Sequence, residues 1–447
     1  MLDPFPPPKV ISPGVDLFEK RFAVFALLVF SGVLNLTSYY NGGDSIMSPF
    51  GAIGAPTAVA TNSVLDRVVS LMRMVIYAVT FFLMLARFKS VVRPLLRDPF
   101  LWALVGIAAT SFIWSDFPNV SQKSGVLLLQ TTLFGLYLAS RFSMKEQLRI
   151  VAWALGIASV FSLLYSLALP GSAITSEGLW RGPLVHKNLF ARLMVISGLS
   201  LLLVALNSRR YRMVIWTVFG ITVTLILLSK SKTALVVFIA LVILVPIYRM
   251  LQWSESLAIP FFSIMILVGT SVASWFVTNW EPFLYSMGKD PTLSGRTDIW
   301  GAVIDKIWER PWLGYGYNAF WENGGVGQKA VFKVIFLNIS QAHNGYLNLG
   351  AELGLLGLLF FVLSLFTAYI RAINWARLGR TSEELWPIIY INFLILYNQS
   401  ESTNIEIHSI FWILSVTITL SMKRVEVLEP SDFSEEQEKE EELFEYG

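Results

Sequence analysis

The sequence predicts an all-α, polytopic integral membrane helix bundle, and three observations carry that prediction. Of 447 residues, 55% are hydrophobic and only 15% are charged, against about 25% charged in an ordinary soluble domain. Apolar runs recur at close to the ~20 residues a helix needs to cross a bilayer core. Lysine and arginine concentrate in alternate connections between those runs, the asymmetry that sets membrane orientation.

Taken in order, hydropathy places about twelve spans, at roughly residues 22–39, 68–86, 100–114, 125–139, 150–169, 189–206, 213–228, 233–248, 259–277, 345–370, 386–397 and 408–422. The third and eleventh are short and are expected to tilt, kink or cross only in part. Residues 1–21 form an N-terminal segment, 22–279 hold spans one to nine, and 280–343 form one large loop. Residues 344–427 carry the last three spans, and 428–447 an acidic tail expected to be disordered. The stretch through Gly14 is rich in proline and lacks the basic, then apolar, then small-residue order of a cleavable leader.

The short connections with Arg87, Lys89, Arg93 and Arg97, with Arg141, Lys145 and Arg149, with Arg209, Arg210 and Arg212, with Arg249, and with Arg371, Arg377 and Arg380 are predicted to be cytoplasmic. Both termini then lie inside and the 280–343 loop outside. Three outer connections break the bias. They hold Arg181 and Lys187, then Lys230 and Lys232, then Lys289, Arg296, Lys306, Arg310, Lys329 and Lys333. Cations where topology disfavours them point to an anionic ligand at the outer face. Ordinary solvated charge accounts for Lys289, Lys306, Lys329 and Lys333.

Within the loop, Ile299, Trp300, Val303, Ile304, Ile307 and Trp308 recur at helical spacing, with Asp298, Asp305, Lys306 and Glu309 on the other side. The pattern predicts an amphipathic helix over 297–310, capped by Thr297 and stopped by Pro311. Headgroup contact and packing onto the protein's own spans both suit its apolar face. Arg296 stands at the helix start, where free backbone N–H groups also favour an anion.

Net charge of +3 gives no basis for nucleic-acid binding, and the absence of cysteine excludes disulfides, thiolate nucleophiles and cysteine zinc sites. Outside, no acidic cluster has divalent-metal spacing, so neither metal nor cofactor is expected. All three histidines, His186, His343 and His408, fall on the predicted outer side. His343 ends the large loop in a Gly-containing turn at the membrane, near basic groups, where a tuned imidazole can be used. Arg73 within the second span and Arg192 one turn into the sixth are functional candidates, with structural ion pairs as the alternative. Glu401 and Glu406, in the last outer connection, are placed to position His343 or a cation.

Five stretches resemble the bacterial O-antigen ligase and polymerase group, which includes exopolysaccharide polymerization proteins. They are Arg181-Gly-Pro-Leu-Val-His-Lys-Asn188, Ser229-Lys-Ser-Lys-Thr-Ala-Leu235, Ser294-Gly-Arg-Thr-Asp-Ile-Trp300, Arg310-Pro-Trp-Leu-Gly-Tyr-Gly316 and His343-Asn-Gly-Tyr-Leu347. They occur in the family's order over roughly residues 171–420; the first spans match in hydropathy. The resemblance implies a periplasm-facing glycosyltransferase in the bacterial inner membrane that uses an undecaprenyl- or similar polyprenyl-diphosphate-linked glycan donor and a glycan acceptor. It implies work alongside chain-length regulator and export proteins. Carried over by position, Arg296 binds the diphosphate and His343 is important for activity. Arg181, Lys230 and Lys232 join Arg296 as diphosphate ligands; His186, Lys187 and Arg310 support them. Ligases often carry arginine where this chain has Lys230 and Lys232, which favours the exopolysaccharide branch and exchanges a bidentate fork for a point charge. Trp312, Tyr315, Tyr317, Phe320 and Trp321 are candidates to stack on sugars, or to form an interfacial belt. The competing function is a transporter or flippase of lipid-linked sugars, for which related halves and midplane binding groups are expected. No repeat of that kind is visible in the sequence.

Overall fold

The computed structural model describes residues 13–35, 64–250, 296–336, 339 and 341–422. Its helices, in order, are α1 (Pro13–Phe30), α2 (Val64–Ala86), α3 (Phe88–Leu95), α4 (Pro99–Thr110) and α5 (Pro118–Arg141). Then come α6 (Met144–Ala168), α7 (Pro170–Ala173), α8 (Lys187–Ala205), α9 (Arg212–Ser229) and α10 (Lys232–Met250). After the loop begin α11 (Arg296–Glu309), α12 (Val326–Ile335), α13 (Gly345–Leu378), α14 (Trp386–Tyr397) and α15 (Ile410–Ser421). Among the described residues there is no strand; Ile174 and Trp180 make one antiparallel bridge.

Six of these helices are long and apolar enough to cross a membrane: α2, α6, α8, α9, α10 and α13. The pair α3 and α4, bent by 96°, makes a seventh if it is one span. The predicted twelve are not reached among the described residues. Span nine, near 259–277, lies outside them. The regions of spans eleven and twelve are helical, but α14 and α15 have 12 residues each, about 18 Å at 1.5 Å per residue, which falls short of a ~30 Å core. The remainder is consistent with a polytopic membrane helix bundle.

At the centre, α8 is apolar all round and buried along nearly its whole length, packed by α6, α9 and α10. Along α14 the residues from Trp386 to Ile391 are likewise buried. One end of the bundle is tied by ion pairs. Glu19 meets Arg87 and Arg141, Arg149 meets Glu383 at 3.1 Å, and Lys145 meets Glu384 at 3.1 Å. Buried Arg371 holds Asp98 at 2.8 Å, and Asp98 also caps α4 through the Leu101 N–H. These cations are the ones in the connections predicted to share a side.

Helix α13 breaks at Gly354, where φ is +67°. The loop before α12 runs alongside the break and takes up the backbone groups it frees. Tyr315 and Gly316 donate to the carbonyls of Ala351 and Glu352 at 3.0 and 2.9 Å. Leu355 and Leu356 donate to those of Pro311 and Trp312 at 2.7 and 3.3 Å. A Cβ at position 354 would strike the Trp312 backbone, so only glycine fits. The stretch Arg310–Gly316 is thereby a brace that fastens the large loop to a broken helix.

Helix α11 begins at Arg296, one residue before the predicted cap, so Thr297 lies inside it. Its Ile299, Val303 and Ile307 pack against the protein, with Tyr315, Phe320 and Val331, and Trp300 donates to the Ala342 carbonyl at 2.9 Å. Between headgroups and the protein's own surface, that stripe takes the second. Ile304 and Trp308 remain exposed.

Candidate functional site

The site is assembled at the starts of α8, α10, α11 and α13 and in the connection after α14. Asn344 caps α13 by accepting from the N–H groups of Tyr346 and Leu347. His343, just before it, has φ +51°, a left-handed conformation uncommon for a side chain of this size. That turn carries its Nδ1 to 3.4 Å from Oε2 of Glu401, with Nε2 of Gln341 at 3.5 Å. Glu401 is only 6% exposed. Its Oε1 accepts from Nδ2 of Asn188 at 3.0 Å and lies 3.9 Å from Arg296. Arg296 also donates to the Ser400 carbonyl at 3.0 Å.

Asn188 extends the cluster to the turn between α9 and α10. Its Oδ1 accepts from Ser231 at 3.0 Å, and Ser231 stands between Lys230 and Lys232. Both lysines are exposed, and neither has an acidic partner among the described residues. Lys230 caps α9 in the left-handed region and Lys232 opens α10. The segment before Arg181 reaches the same turn, since Trp180 donates to the Leu228 carbonyl at 3.2 Å. Arg181 braces its own loop through the carbonyls of Ser172 and Val185. His186 caps α8 by accepting the Asn188 N–H on Nδ1 at 3.2 Å, which leaves the ring proton on Nε2.

Burial pushes the Glu401 carboxyl up, but the His343 hydrogen bond, the His343 charge and nearby Arg296 and Arg192 outweigh it and hold the group below its ordinary range. Burial pulls His186 down; Glu401 opposes this, while Lys187, His343 and Arg181 reinforce it. His186 therefore favours its neutral form. Glu401 thus lies within electrostatic reach of His343, Arg296 and Arg192, and His186 within reach of Glu401, His343, Lys187 and Arg181.

Of the sequence-predicted residues, the structure brings together His343, Arg296, Glu401, His186, Lys187 and Arg181; Lys230 and Lys232 flank Ser231, which is tied to the cluster through Asn188. Six others lie elsewhere or do something else. Arg192 pairs with Glu406 at 3.1 Å, donates to the Ser402 carbonyl at 2.9 Å and covers the Phe411 ring, the structural ion pair held open as the alternative. Arg310 is about 21 Å along α11 from Arg296 and is held by Asp116 at 2.7 Å. Tyr315, Tyr317 and Phe320 are 2%, 1% and 1% exposed, so the packed interior covers rings that sugar stacking would need open. Arg73 reaches Asn35 at 3.4 Å, beside a separate contact of Tyr77 with His408 at 2.8 Å.

Two amides were missed. Asn188 joins three connections, and Asn348 accepts the Ala342 N–H at 2.8 Å while donating to Ser402. Asn188 sits inside a quoted motif, but a neutral amide there carries no charge anomaly. Asn348 falls five residues after His343, at the start of a span, the one signal available.

Among the described residues, no three His, Cys, Asp or Glu side chains gather as a metal set. The arrangement offers an imidazole whose Nδ1 faces a carboxylate, leaving Nε2 to accept a proton, with several cations beside it.

Comparison with known proteins agrees with this picture. The chain is 22% identical to the exopolysaccharide production protein ExoQ of Rhizobium meliloti (strain 1021), over 60% of this chain and 64% of that protein. It thus spans less than two thirds of the relative it matches. Residues 217–362, from α9 through the large loop into α13, match the family described as O-Antigen ligase. The resemblance read from the five motifs is thus supported: residues 217–362 are similar to the O-Antigen ligase family, and the chain is similar to an exopolysaccharide production protein.

Proposed function

We propose that the protein is a glycosyltransferase that polymerises, or ligates, polyprenyl-diphosphate-linked oligosaccharide units into a surface polysaccharide, at the periplasmic face of a bacterial inner membrane. The observation that carries this reading is His343 held on buried Glu401 within a cluster of cations contributed by separate connections. A lipid diphosphate must lose its glycan against growing negative charge on the leaving oxygen. Arg181, Lys187, Lys230, Lys232 and Arg296 are the groups to receive that charge, so the reaction proceeds without a metal.

The acceptor hydroxyl attacks the anomeric carbon, and its proton passes to Nε2 of His343. The new C–O bond forms as the bond to the diphosphate oxygen breaks, and that electron pair leaves with the lipid diphosphate. Glu401 fixes the tautomer through Nδ1 and stabilises the imidazolium that results. At 3.4 Å the contact is long for a hydrogen bond, as such pairs are before substrate closes on them. Displacement at one step inverts the anomeric configuration. The polyprenyl chain arrives sideways from lipid and the acceptor from water.

Deleting the gene tests the reading. Single repeat units on lipid should accumulate on the outer leaflet and polymer should vanish, with rescue by the wild type and not by His343→Ala. Unchanged polymer would refute it, and units trapped on the inner leaflet would indicate a flippase.

A further inference from the structure

Behind the His343 turn lies a cavity of about 410 Å³ that the proposed chemistry leaves unused. It borders the site directly. Gly345, two residues after His343, lines it, as does Ser402, which follows Glu401. The volume falls in the ~300–1,000 Å³ typical of small-molecule sites. Leu189, exposed, and Glu406, partly exposed, are among its lining residues.

Three buried polar residues, Glu352, Asn404 and Arg192, line its wall. Glu352 is 9% exposed and has no ion-pair partner among the described residues. It accepts the backbone N–H of Asn318 and keeps further acceptor capacity. Asn404, 6% exposed, donates through Nδ2 to the Gly345 carbonyl, and its buried Oδ1 has no partner. Arg192, 5% exposed, spends its terminal nitrogens on Glu406 and Ser402, and its buried Nε has none. Buried polar groups are normally satisfied, and Glu352 meets one N–H donor where a carboxyl can accept several. One wall lined by a carboxyl with acceptor capacity to spare, an amide and a guanidinium suits a ligand that supplies both hydrogens and lone pairs.

That requirement selects among ligand classes. A bound cation would share the cavity with the Arg192 guanidinium. A carboxylated sugar would face Glu352, with Arg192 already neutralised by Glu406. A neutral polyol suits the wall, because each hydroxyl both donates and accepts. We propose that the cavity is the acceptor subsite, seating a neutral pyranose of the acceptor glycan beside His343. The word acceptor rests on the glycosyltransferase reading; the neutral-pyranose site does not.

The test separates the two. The full-length protein in lipid nanodiscs is probed by saturation-transfer NMR with methyl glucoside, galactoside and mannoside, and with methyl glucuronide as the charged control. At least one neutral hexoside should give signal and the glucuronide none. Leu189→Trp, which adds bulk to the lining, and Glu352→Gln, which keeps size and removes charge, should each cut that signal at least about fivefold. Melting curves confirm folding, and if Glu352→Gln fails to fold, Leu189→Trp decides alone. No hexoside signal in the wild type, a stronger glucuronide signal, or an unchanged signal in a folded variant overturns the subsite. In a transfer assay, Leu189→Trp should raise the acceptor KM about tenfold and leave the donor KM unchanged. Hexoside binding without any transfer would sink the enzyme reading and keep the neutral-pyranose site. Transfer with an unchanged acceptor KM in Leu189→Trp would sink the subsite alone.

Discussion

Replacing Glu401 with glutamine isolates the contact on which the proposed chemistry turns. Glutamine keeps the volume of the buried side chain and can still accept from Asn188 through its carbonyl oxygen. Its NH₂ then faces Nδ1 of His343, so the ring is driven to carry its proton on Nε2, the atom that has to receive one. A hydrogen bond to a charged group contributes about 1.5–3 kcal/mol. At about 1.4 kcal/mol per decade, Glu401→Gln should slow transfer roughly 10- to 150-fold. The assay is the initial rate in proteoliposomes at saturating donor and acceptor, with equal protein. If Glu401 acts through His343, adding Glu401→Gln to His343→Ala should cost nothing further. A full rate in the single variant, or losses that multiply in the double, would refute the reasoning. Acidity provides a second check. The Glu401 carboxyl is held below its ordinary value of 4.5, so its stabilising contribution is complete above that pH and fades as pH falls through the lower folded value. The melting curves of wild type and Glu401→Gln should therefore differ at neutral pH and converge only below 4.5.

Three further outcomes follow from particular contacts. Arg296→Ala should cost on the order of 10²- to 10³-fold in rate, the usual effect of removing one donor to developing charge; Arg296→Lys should restore part of it, and full activity in the alanine variant would remove Arg296 from the diphosphate site. Gly354→Ala forces a Cβ onto the Trp312 backbone at positive φ. It should lower stability by at least about 2 kcal/mol, read as a drop of several degrees in melting temperature in detergent; an unchanged curve would contradict the brace. Since the chain has no cysteine, Lys329→Cys is a single-thiol probe. It should react with an impermeant maleimide in intact spheroplasts, and labelling only after lysis would reverse the orientation.

The ends of the site were legible because charge stood where topology disfavours it. Arg181, Lys187, Lys230, Lys232, Arg296 and His343 could each be singled out from sequence; the structure sets Arg181, Lys187, Arg296 and His343 around Glu401 and His186, with the Lys230–Lys232 turn tied in through Asn188. What joins them was not legible. Asn188 and Asn348 are neutral amides whose importance lies in distant partners, Glu401 and Ser231 for one and Ala342 and Ser402 for the other. The Arg310–Gly316 stretch looked like binding machinery, yet it pairs with the backbone of α13 where Gly354 breaks the helix. Hydropathy runs unbroken through that point, so periodicity could not reveal it. The loop helix was read to within one residue because its Ile299, Val303 and Ile307 stripe is strong. Span counting fared worse, since α14 and α15 are apolar but too short to cross a bilayer unaided.

The central claim is that one displacement on a lipid diphosphate occurs at His343. Purified protein in proteoliposomes should be given a polyprenyl-diphosphate-linked unit of known anomeric configuration, and the new linkage read by NMR alongside released lipid diphosphate. The account predicts one lipid diphosphate freed per bond formed, the opposite anomeric configuration in the product, and loss of both in His343→Ala. A product that retains the donor configuration, or a His343→Ala variant that still transfers, would contradict it.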